Sequence, residues 1–225
     1  MRQYFFYRRE SLKTTWTFRL LVIAGTVLLL VLTRGWWEPS IAASLVCSEE
    51  AVTSDAILIE NLEPEYLLFE RSTQLLRDGL ASRVFVTVPA SWNSPEPNLV
   101  TVEVVRVNAR VAQLPAPEII TVRPVEPISL NVAQQVRDYL VAQNIRSVLI
   151  VSTGFRSRRT TELHGKVFGD AGIRSSCVPV VDPRSIDGWA RTWHGVQGVA
   201  LEFIKLQYYR FYVMPFRYHR DETNG

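Results

Sequence analysis

Short apolar runs alternate with amphipathic segments along most of the chain. Five of these runs predict short buried strands: Asp55–Glu60, Arg83–Val88, Glu118–Val122, Ser147–Ser152 and Cys177–Val181. Between them, apolar residues recur at spacings of three and four, which predicts helices. Such alternation is typical of a parallel sheet covered by helices on both faces. We therefore predict an α/β domain over residues 55–213, with an open, mostly parallel, doubly wound sheet of the Rossmann-like kind.

The ends of the predicted helices carry recognisable signals. Pro64 can occupy the first turn of the first helix, and Gly79 can end that helix. Ser129 or Asn131 can cap the helix that precedes the fourth strand. Another helix follows the fourth strand, and the last long helix is predicted over Gly195–Tyr212.

One segment, Asn98–Leu114, fits two structures. Its many valines favour a strand, whereas the spacing of its apolar residues favours a helix; these residues are Val100, Val104, Val107, Val111 and Leu114. A helix also continues the alternation, so we predict a helix and keep a strand as the alternative. The proline-rich stretch Pro89–Pro97 ahead of it predicts a loop.

A separate apolar run, Leu20–Thr33, lies near the N-terminus and contains no charged residue. As a helix it spans only about 21 Å, which is less than the roughly 30 Å hydrocarbon core of a bilayer. The aromatic residues on either side extend it: Trp16, Phe18, Trp36 and Trp37. With Arg19 and Arg34 reaching to the two interfaces, residues 18–37 predict one transmembrane helix.

Two alternatives to a membrane anchor are a buried core helix and a cleaved signal peptide. Small residues suited to cleavage, Ala42, Ala43 and Ser44, lie well beyond the apolar run, which favours an uncleaved anchor. Basic residues dominate the tail at residues 1–17, so the positive-inside rule places that tail in the cytoplasm. Residues 38–54 then form a linker, the domain lies outside the cytoplasm, and residues 214–225 form a C-terminal tail.

Charge and chemical motifs exclude several classes of function. The net charge is +3 and the pI is about 9.0, but residues 1–19 carry five basic residues against one acid. The remainder is nearly balanced, which argues against nucleic-acid binding. The histidines show no metal-ligand spacing, and no nucleotide or hydrolase motif occurs. No metal and no particular cofactor is predicted, and whether the protein is an enzyme stays open.

The two cysteines, Cys47 and Cys177, also leave two interpretations open. In an oxidising compartment they could form a disulfide bond, provided that the fold brings them together. Two separate buried thiols fit the sequence equally well.

Candidate ligand-binding residues follow the predicted strands, because ligands of open parallel sheets bind beyond the carboxyl ends of the strands. Arg156 and Arg159 open the helix after the fourth strand, where backbone N–H groups and guanidinium groups favour an anion such as phosphate. The alternative is a solvated basic helix start. The other candidates are Ser152, Thr153, Glu60, Glu126 and Asn131. The acids and the asparagine could face the same ligand or serve only as helix caps.

From about Asp55 to Tyr212 the chain resembles the YdcF/SanA/ElyC-type domain of bacterial envelope proteins. The resemblance lies in these residues: Asp55, Arg71, Glu126, Ser129, Asn131, Val151, Ser152, Thr153, Arg159, Trp189, Glu202, Tyr208 and Tyr209. It implies a Rossmann-like domain on a single-pass anchor in the bacterial cytoplasmic membrane. It also implies a role in cell-envelope biogenesis, with an anionic small molecule or a phosphate-bearing lipid-linked or sugar precursor as ligand.

The chain departs from the family pattern at three places. Glu60, Asn61 and Leu62 replace a glycine-rich turn, and Val132 replaces a threonine. The family's histidine falls at Arg156, which stays protonated and cannot transfer a proton. These departures favour an alternative function, a catalytically inactive binding or scaffold module of the same fold.

Overall fold

All five predicted strands are present in the computed structural model, which describes residues 15–49, 51–60, 65–91, 94–181 and 188–218. They are β1 (Ala56–Ile59), β2 (Arg83–Pro89), β3 (Glu118–Val122), β4 (Ser147–Thr153) and β5 (Arg174–Val180). The strands form one parallel sheet in the order β3-β2-β1-β4-β5. The α/β fold and the parallel sheet are therefore confirmed.

The chain divides into two compact units, Met1–Ser40 and Ile41–Gly225. The described helices are α1 (Trp16–Leu32), α2 (Arg34–Leu45), α3 (Tyr66–Arg77), α4 (Leu99–Val111), α5 (Ile128–Ala142), α6 (Gly154–Asp170) and α7 (Trp193–Tyr208). A 3₁₀ turn, Trp189–Arg191, precedes α7; a π-helical stretch, Tyr209–Val213, and a last turn, Met214–Phe216, follow it.

Helices cover both faces of the sheet, because successive strand residues point to opposite sides. Leu58 and Ile150 pack in a core with residues of α5 and α6. Ile57 and Leu149 pack in a second core with residues of α3 and α4. Strands that are buried on both faces account for the continuous apolar runs in the sequence.

Asp55 ties the start of β1 to the start of β4. Its carboxylate accepts hydrogen bonds from the backbone N–H groups of Arg146 (2.8 Å) and Ser147 (2.9 Å). The bond from Arg146 lowers the pKa of Asp55 and outweighs the smaller, opposing effect of burial. The acid at the head of the first strand is thus explained by strand pairing.

Segment 99–111 is a helix, α4, and Asn98 caps it by accepting a hydrogen bond from the Thr101 N–H (3.1 Å). The four valines that indicated the helix lie on its exposed side: Val100, Val104, Val107 and Val111. Its buried side consists of Val102, Val105 and Ala109. The spacing of the apolar residues therefore predicted the helix correctly, although most of the residues that showed this spacing do not face the core.

The predicted starts of α5 and α3 have different outcomes. The expectation that Ser129 or Asn131 caps α5 is wrong, because the helix begins at Ile128 directly after Pro127. The φ of Pro127, −75°, suits a residue that precedes a helix, and the Glu126 carboxylate accepts a bond from the Ile128 N–H (3.3 Å). Pro64, predicted for the first turn of α3, lies outside the described residues.

The N-terminal unit contains α1, in which no residue is buried. Among the described residues, no single helix is long and apolar enough to cross a membrane. Trp16–Leu32 and Arg34–Leu45 reach that length and apolarity only as a pair, bent by 71° at the break. Part of the predicted linker is helical, since Arg34–Leu45 form α2.

Buried residues lie near both ends of the α/β unit. Ala42 and Leu45 are buried, and Cys47 is joined to Cys177 of β5 by a disulfide bond, with 6.5 Å between the Cα atoms. Of the two interpretations of the cysteines, the structure therefore has the disulfide. At the other end, Tyr218 is buried in the core, so the domain extends beyond the predicted boundary at residue 213.

Candidate functional site

The order of the strands creates a crevice between the carboxyl ends of β1 and β4. The chain leaves β1 toward β2 and β3 on one side, and β4 leads to β5 on the other. Neighbouring strands whose connections run in opposite directions form a topological switch point, which is where open α/β sheets bind ligands. Glu60 follows β1 at this point, and α6 begins at Gly154 directly after β4.

A cavity of about 490 Å³ opens here. It is lined by Glu60, Pro89, Pro124, Glu126, Ile128, Ser129, Arg156, Arg159, Lys205, Tyr208 and Tyr209. Its walls thus come from the ends of β1 and β2, the β3–α5 loop, the starts of α5 and α6, and the end of α7. The volume is within the range that small-molecule sites occupy.

Arg159 is buried in the wall of this cavity, with 5% of its surface exposed. Its Nε and Nη2 groups donate to Oε2 of Glu202 at 3.3 and 3.0 Å, and its Nη1 group donates to the hydroxyl of Ser129. The guanidinium also lies 5.5 Å from the ring centre of Tyr209. Arg159 therefore holds α6, α5 and the last helix together from within the wall.

Glu202 is shared by two cations. Lys205 donates to its Oε1 atom at 3.0 Å, while Arg159 occupies its Oε2 atom. Burial by itself raises the pKa of Glu202, but the charge of Arg159 and the hydrogen bonds from Lys205 and Arg159 hold that pKa below its ordinary value. Two cations on one ionised carboxylate leave one net positive charge at the side of the cavity.

Arg156 is half-buried at the first turn of α6 and lines two cavities. The second, of about 520 Å³, adjoins the first and includes Thr153, Gly154, Glu202 and Lys205. Arg156 on α6 and Lys205 on α7 line both cavities, and Lys205 shares the Glu202 carboxylate with Arg159.

Glu60, in the wall of the cavity, is connected through Thr160 to a buried histidine, His164. Glu60 is 3% exposed and accepts a hydrogen bond from the Thr160 hydroxyl (2.5 Å). The carbonyl of Thr160 accepts one from Nδ1 of His164 (2.9 Å), and Nε2 of His164 has no partner among the described residues. Burial lowers the pKa of His164 more than the charge of Glu60 raises it, so the imidazole is held in its neutral form.

The sequence-predicted site residues separate into three groups. Glu60, Glu126, Arg156 and Arg159 line the switch-point cavity, and Thr153 lines the adjoining one. The remaining two, Ser152 and Asn131, line neither cavity.

The side chains of these two have local surroundings. Ser152 is fully buried within β4, and its hydroxyl has no hydrogen-bond partner in the described part of the chain. The amide of Asn131 donates to the carbonyls of Val125 (3.0 Å) and Pro127 (3.4 Å), so it fixes the loop that precedes α5.

Sequence reasoning missed Lys205 and His164. Lys205 had no signal of its own, because its position beside α6 depends on how α7 packs. His164 follows Thr160 by one helical turn on the buried side of α6, a spacing that could have been noticed. Tyr209 was named only through the family resemblance. Its hydroxyl accepts a hydrogen bond from the Ser129 N–H (2.9 Å).

The site contains no arrangement for metal chemistry in the part of the chain that is described, since no group of three or more metal-ligating side chains occurs there. Comparison with protein-family models, with curated proteins and with solved structures found no match. The functional assignment therefore rests on the sequence and on the geometry of the crevice.

Proposed function

We propose that the α/β domain binds a phosphate-bearing ligand in the switch-point cavity. We further propose that it does so at the outer face of a bacterial cytoplasmic membrane, as a YdcF-like protein of cell-envelope biogenesis. The observation that carries the proposal is that Arg156 and Lys205 both line the cavities at the N-terminus of α6.

The start of α6 supports an anionic ligand for two independent reasons. The first N–H groups of a helix lack intrahelical partners, and the helix dipole favours negative charge there. Thr153, the residue before α6, makes no side-chain capping bond to these groups. Arg156 adds a guanidinium group, whose planar fork suits two phosphate oxygens.

Acidic side chains in the same cavity favour a ligand that also carries hydroxyl groups. Glu60, which follows β1, and Glu126, in the β3–α5 loop, line the cavity together with Lys205 of α7. Carboxylates accept hydrogen bonds from hydroxyls but repel phosphate. A sugar phosphate, or the head of a lipid-linked precursor, satisfies both kinds of group in the cavity.

The membrane location is supported by α1 and by the disulfide. Every described residue of α1 is exposed within its own unit, although the helix consists mostly of large apolar residues. Disulfide bonds persist outside the cytoplasm and are rare inside it, so the Cys47–Cys177 bond favours an extracytoplasmic domain. The basic tail ahead of α1 favours a cytoplasmic N-terminus.

A second candidate function is a catalytically inactive binding or scaffold module. Arg156 cannot transfer a proton, and His164, which could, is 1% exposed and does not line the cavity. Arg159 is already paired with Glu202 and Ser129. These observations favour capture of a ligand over acid–base chemistry at this position.

Replacing Arg156 by alanine is expected to weaken phosphate binding about ten- to hundredfold, because a charge-assisted contact contributes roughly 1.5–3 kcal/mol. Arg156→Lys should recover only part, since an ammonium group cannot form the two-pronged contact. Isothermal titration of the full chain in detergent with inorganic phosphate and with glycerol 3-phosphate measures both effects.

Arg158→Ala is the matched control for Arg156→Ala. Arg158 lies two residues further along α6, about two hundred degrees around the helix, and lines neither cavity. We expect its removal to leave affinity almost unchanged. Equal losses from both variants would indicate a diffuse basic surface and would contradict a defined phosphate site.

A reporter fused after Gly225 is expected to be active only outside the cytoplasm, because the basic tail orients α1 with its N-terminus inside. Paired alkaline phosphatase and fluorescent-protein fusions in a bacterial host measure the side directly. Activity on the cytoplasmic side, or a mature N-terminus near Ser44, would contradict the anchor.

A further inference from the structure

The helical stretch formed by α7 and the π-helical residues Tyr209–Val213 has two unlike apolar sides. One side is buried against the domain through Val199, Leu206, Tyr209 and Val213. The other side, called the aromatic face here, consists of Trp193, Leu201, Ile204, Tyr208 and Phe211, each between 45% and 74% exposed. A surface helix ordinarily carries polar residues opposite its buried side. A contiguous exposed apolar face of this kind marks a surface that binds something.

Basic residues outnumber acidic ones in the stretch that carries the aromatic face. In residues 188–218 Glu202 is the only acid, and it is taken up by Arg159 and Lys205. The bases in that stretch are Arg191, Lys205, Arg210 and Arg217; of these, Lys205 is paired with Glu202 and Arg210 with Glu162 of α6. Aromatic and aliphatic residues bordered by arginine and lysine are typical of helices that lie in the interface of an anionic bilayer.

The segment that leads from the N-terminal helix attaches to the domain beside this face. The Cys47 N–H donates to the hydroxyl of Ser157 at the start of α6 (3.0 Å). The same end of α6 shares a cavity wall with Leu201 of the aromatic face. Only residues 33–41 separate α1 from Ala42, which is buried in the domain. Even fully extended, this connector spans about 30 Å.

We propose that the aromatic face lies in the interfacial layer of the anionic phospholipid bilayer that holds α1. This inference rests on the proposed membrane anchor. The short connector limits how far the domain can stand from the bilayer, and the basic border complements lipid phosphates. The stretch is immersed along its aromatic face, while Lys205 and Tyr209 stay above the lipid and Tyr208, which belongs both to the face and to the cavity wall, lies at the boundary.

A docked aromatic face determines how a ligand reaches the site. Lys205, Tyr208 and Tyr209 belong both to this helical stretch and to the wall of the switch-point cavity. When the aromatic face is at the level of the lipid glycerol groups, the cavity opens beside the headgroups. The phosphate then arrives on a lipid that stays in the bilayer, and a ligand dissolved in water is the less favoured source.

The test uses a polarity-sensitive fluorophore at Ile204, introduced as Ile204→Cys in the full chain. Cys47 and Cys177 are paired, so the added cysteine is the only free thiol and is labelled specifically. The labelled protein is reconstituted into phosphatidylglycerol vesicles that contain nitroxide lipids quenching at a shallow or a deep position. Val141→Cys, on α5 at the opposite end of the sheet and similarly exposed, is the matched control.

We expect the probe at residue 204 to be quenched by the shallow nitroxide more than by the deep one, because interfacial helices sit about 5–10 Å into the headgroup boundary. The probe at residue 141 should not be quenched by either. Replacing phosphatidylglycerol with phosphatidylcholine should reduce quenching at residue 204, since the attraction of the basic border is lost.

Three other results would contradict the inference, and they differ in what else they contradict. Protein that does not float with the vesicles overturns the anchor and this inference together. Protein that floats with residue 204 in water overturns the inference and leaves the anchor and the phosphate site intact. A probe that is shielded from water, is not quenched by either lipid and becomes exposed on dilution shows that a second copy of the chain covers the face, which also overturns it.

Discussion

Replacing Arg159 by alanine is expected to lower the free energy of unfolding of the α/β domain by about 3–5 kcal/mol, the usual effect of removing one partner of a buried ion pair. The side chains of Arg159 and Glu202 are only 6% and 13% exposed. Without Arg159, the buried carboxylate of Glu202 keeps only Lys205 as a partner. The Ser129 hydroxyl also loses the hydrogen bond that Arg159 donates to it. Urea unfolding of the full chain, followed by circular dichroism, measures the change.

Two further variants distinguish the effect of breaking the ion pair from the effect of losing an arginine side chain. Arg158→Ala removes a neighbouring, half-exposed arginine and should cost less than about 1 kcal/mol. The double variant Arg159→Met with Glu202→Leu should be less destabilising than Arg159→Ala alone, because neither partner is then left buried and unpaired. A double variant as unstable as the single one would contradict this explanation.

The same pair gives the stability a defined pH dependence. The pKa of Glu202 is lower in the folded protein than its ordinary value of about 4.3. Its contribution is therefore fully present above that ordinary value and is lost as the pH falls through the lower, folded pKa. The difference in stability between the wild type and Arg159→Ala should therefore shrink as the pH falls below that ordinary value.

A stable Arg159→Ala domain that binds phosphate more weakly would contradict the structural role and indicate that Arg159 contacts the ligand. The sequence alone favours such a contact for Arg159 as well as for Arg156, since both open the helix that follows β4. The contacts of Arg159 with Glu202 and Ser129 shift the expectation to Arg156.

The fold was predictable because its signals are local. Strands buried on both faces must be apolar along their length, and helices beside a sheet must repeat their apolar residues every three to four positions. The helix α4 shows that the period alone is sufficient, even though its most regular valines are exposed. The start of α5 shows where local signals fail, because Ser129 and Asn131 are good caps but Pro127 ends the preceding loop.

The site was predictable only in part, because its contacts join distant segments. The rule that ligands bind beyond strand ends found Glu60, Glu126 and Arg156, which do line one cavity. No local pattern could show that Glu202 would neutralise Arg159 from 43 residues away, or that Lys205 and Arg156 would line the same cavity. Asn131 was misplaced for a related reason, since its amide is used by backbone carbonyls of its own loop.

Removing the disulfide bond, as Cys47→Ser with Cys177→Ser, is expected to lower the free energy of unfolding by about 2–5 kcal/mol. The bond closes a loop with a sequence separation of 130, so it restricts the unfolded chain strongly. It also connects the segment that follows α2 to the edge strand β5. Its loss should therefore free the attachment of the N-terminal segment before the rest of the sheet unfolds.

A reducing agent supplies the control for the double serine variant. Dithiothreitol should lower the urea midpoint of the wild type and leave that of the variant unchanged, because only the wild type has a bond to reduce. Non-reducing mass spectrometry of protein isolated from its native membrane tests whether the bond forms in the cell. Two freely alkylated thiols there would contradict both the bond and the extracytoplasmic domain that it supports, since an oxidising compartment would have joined cysteines that the fold holds in contact.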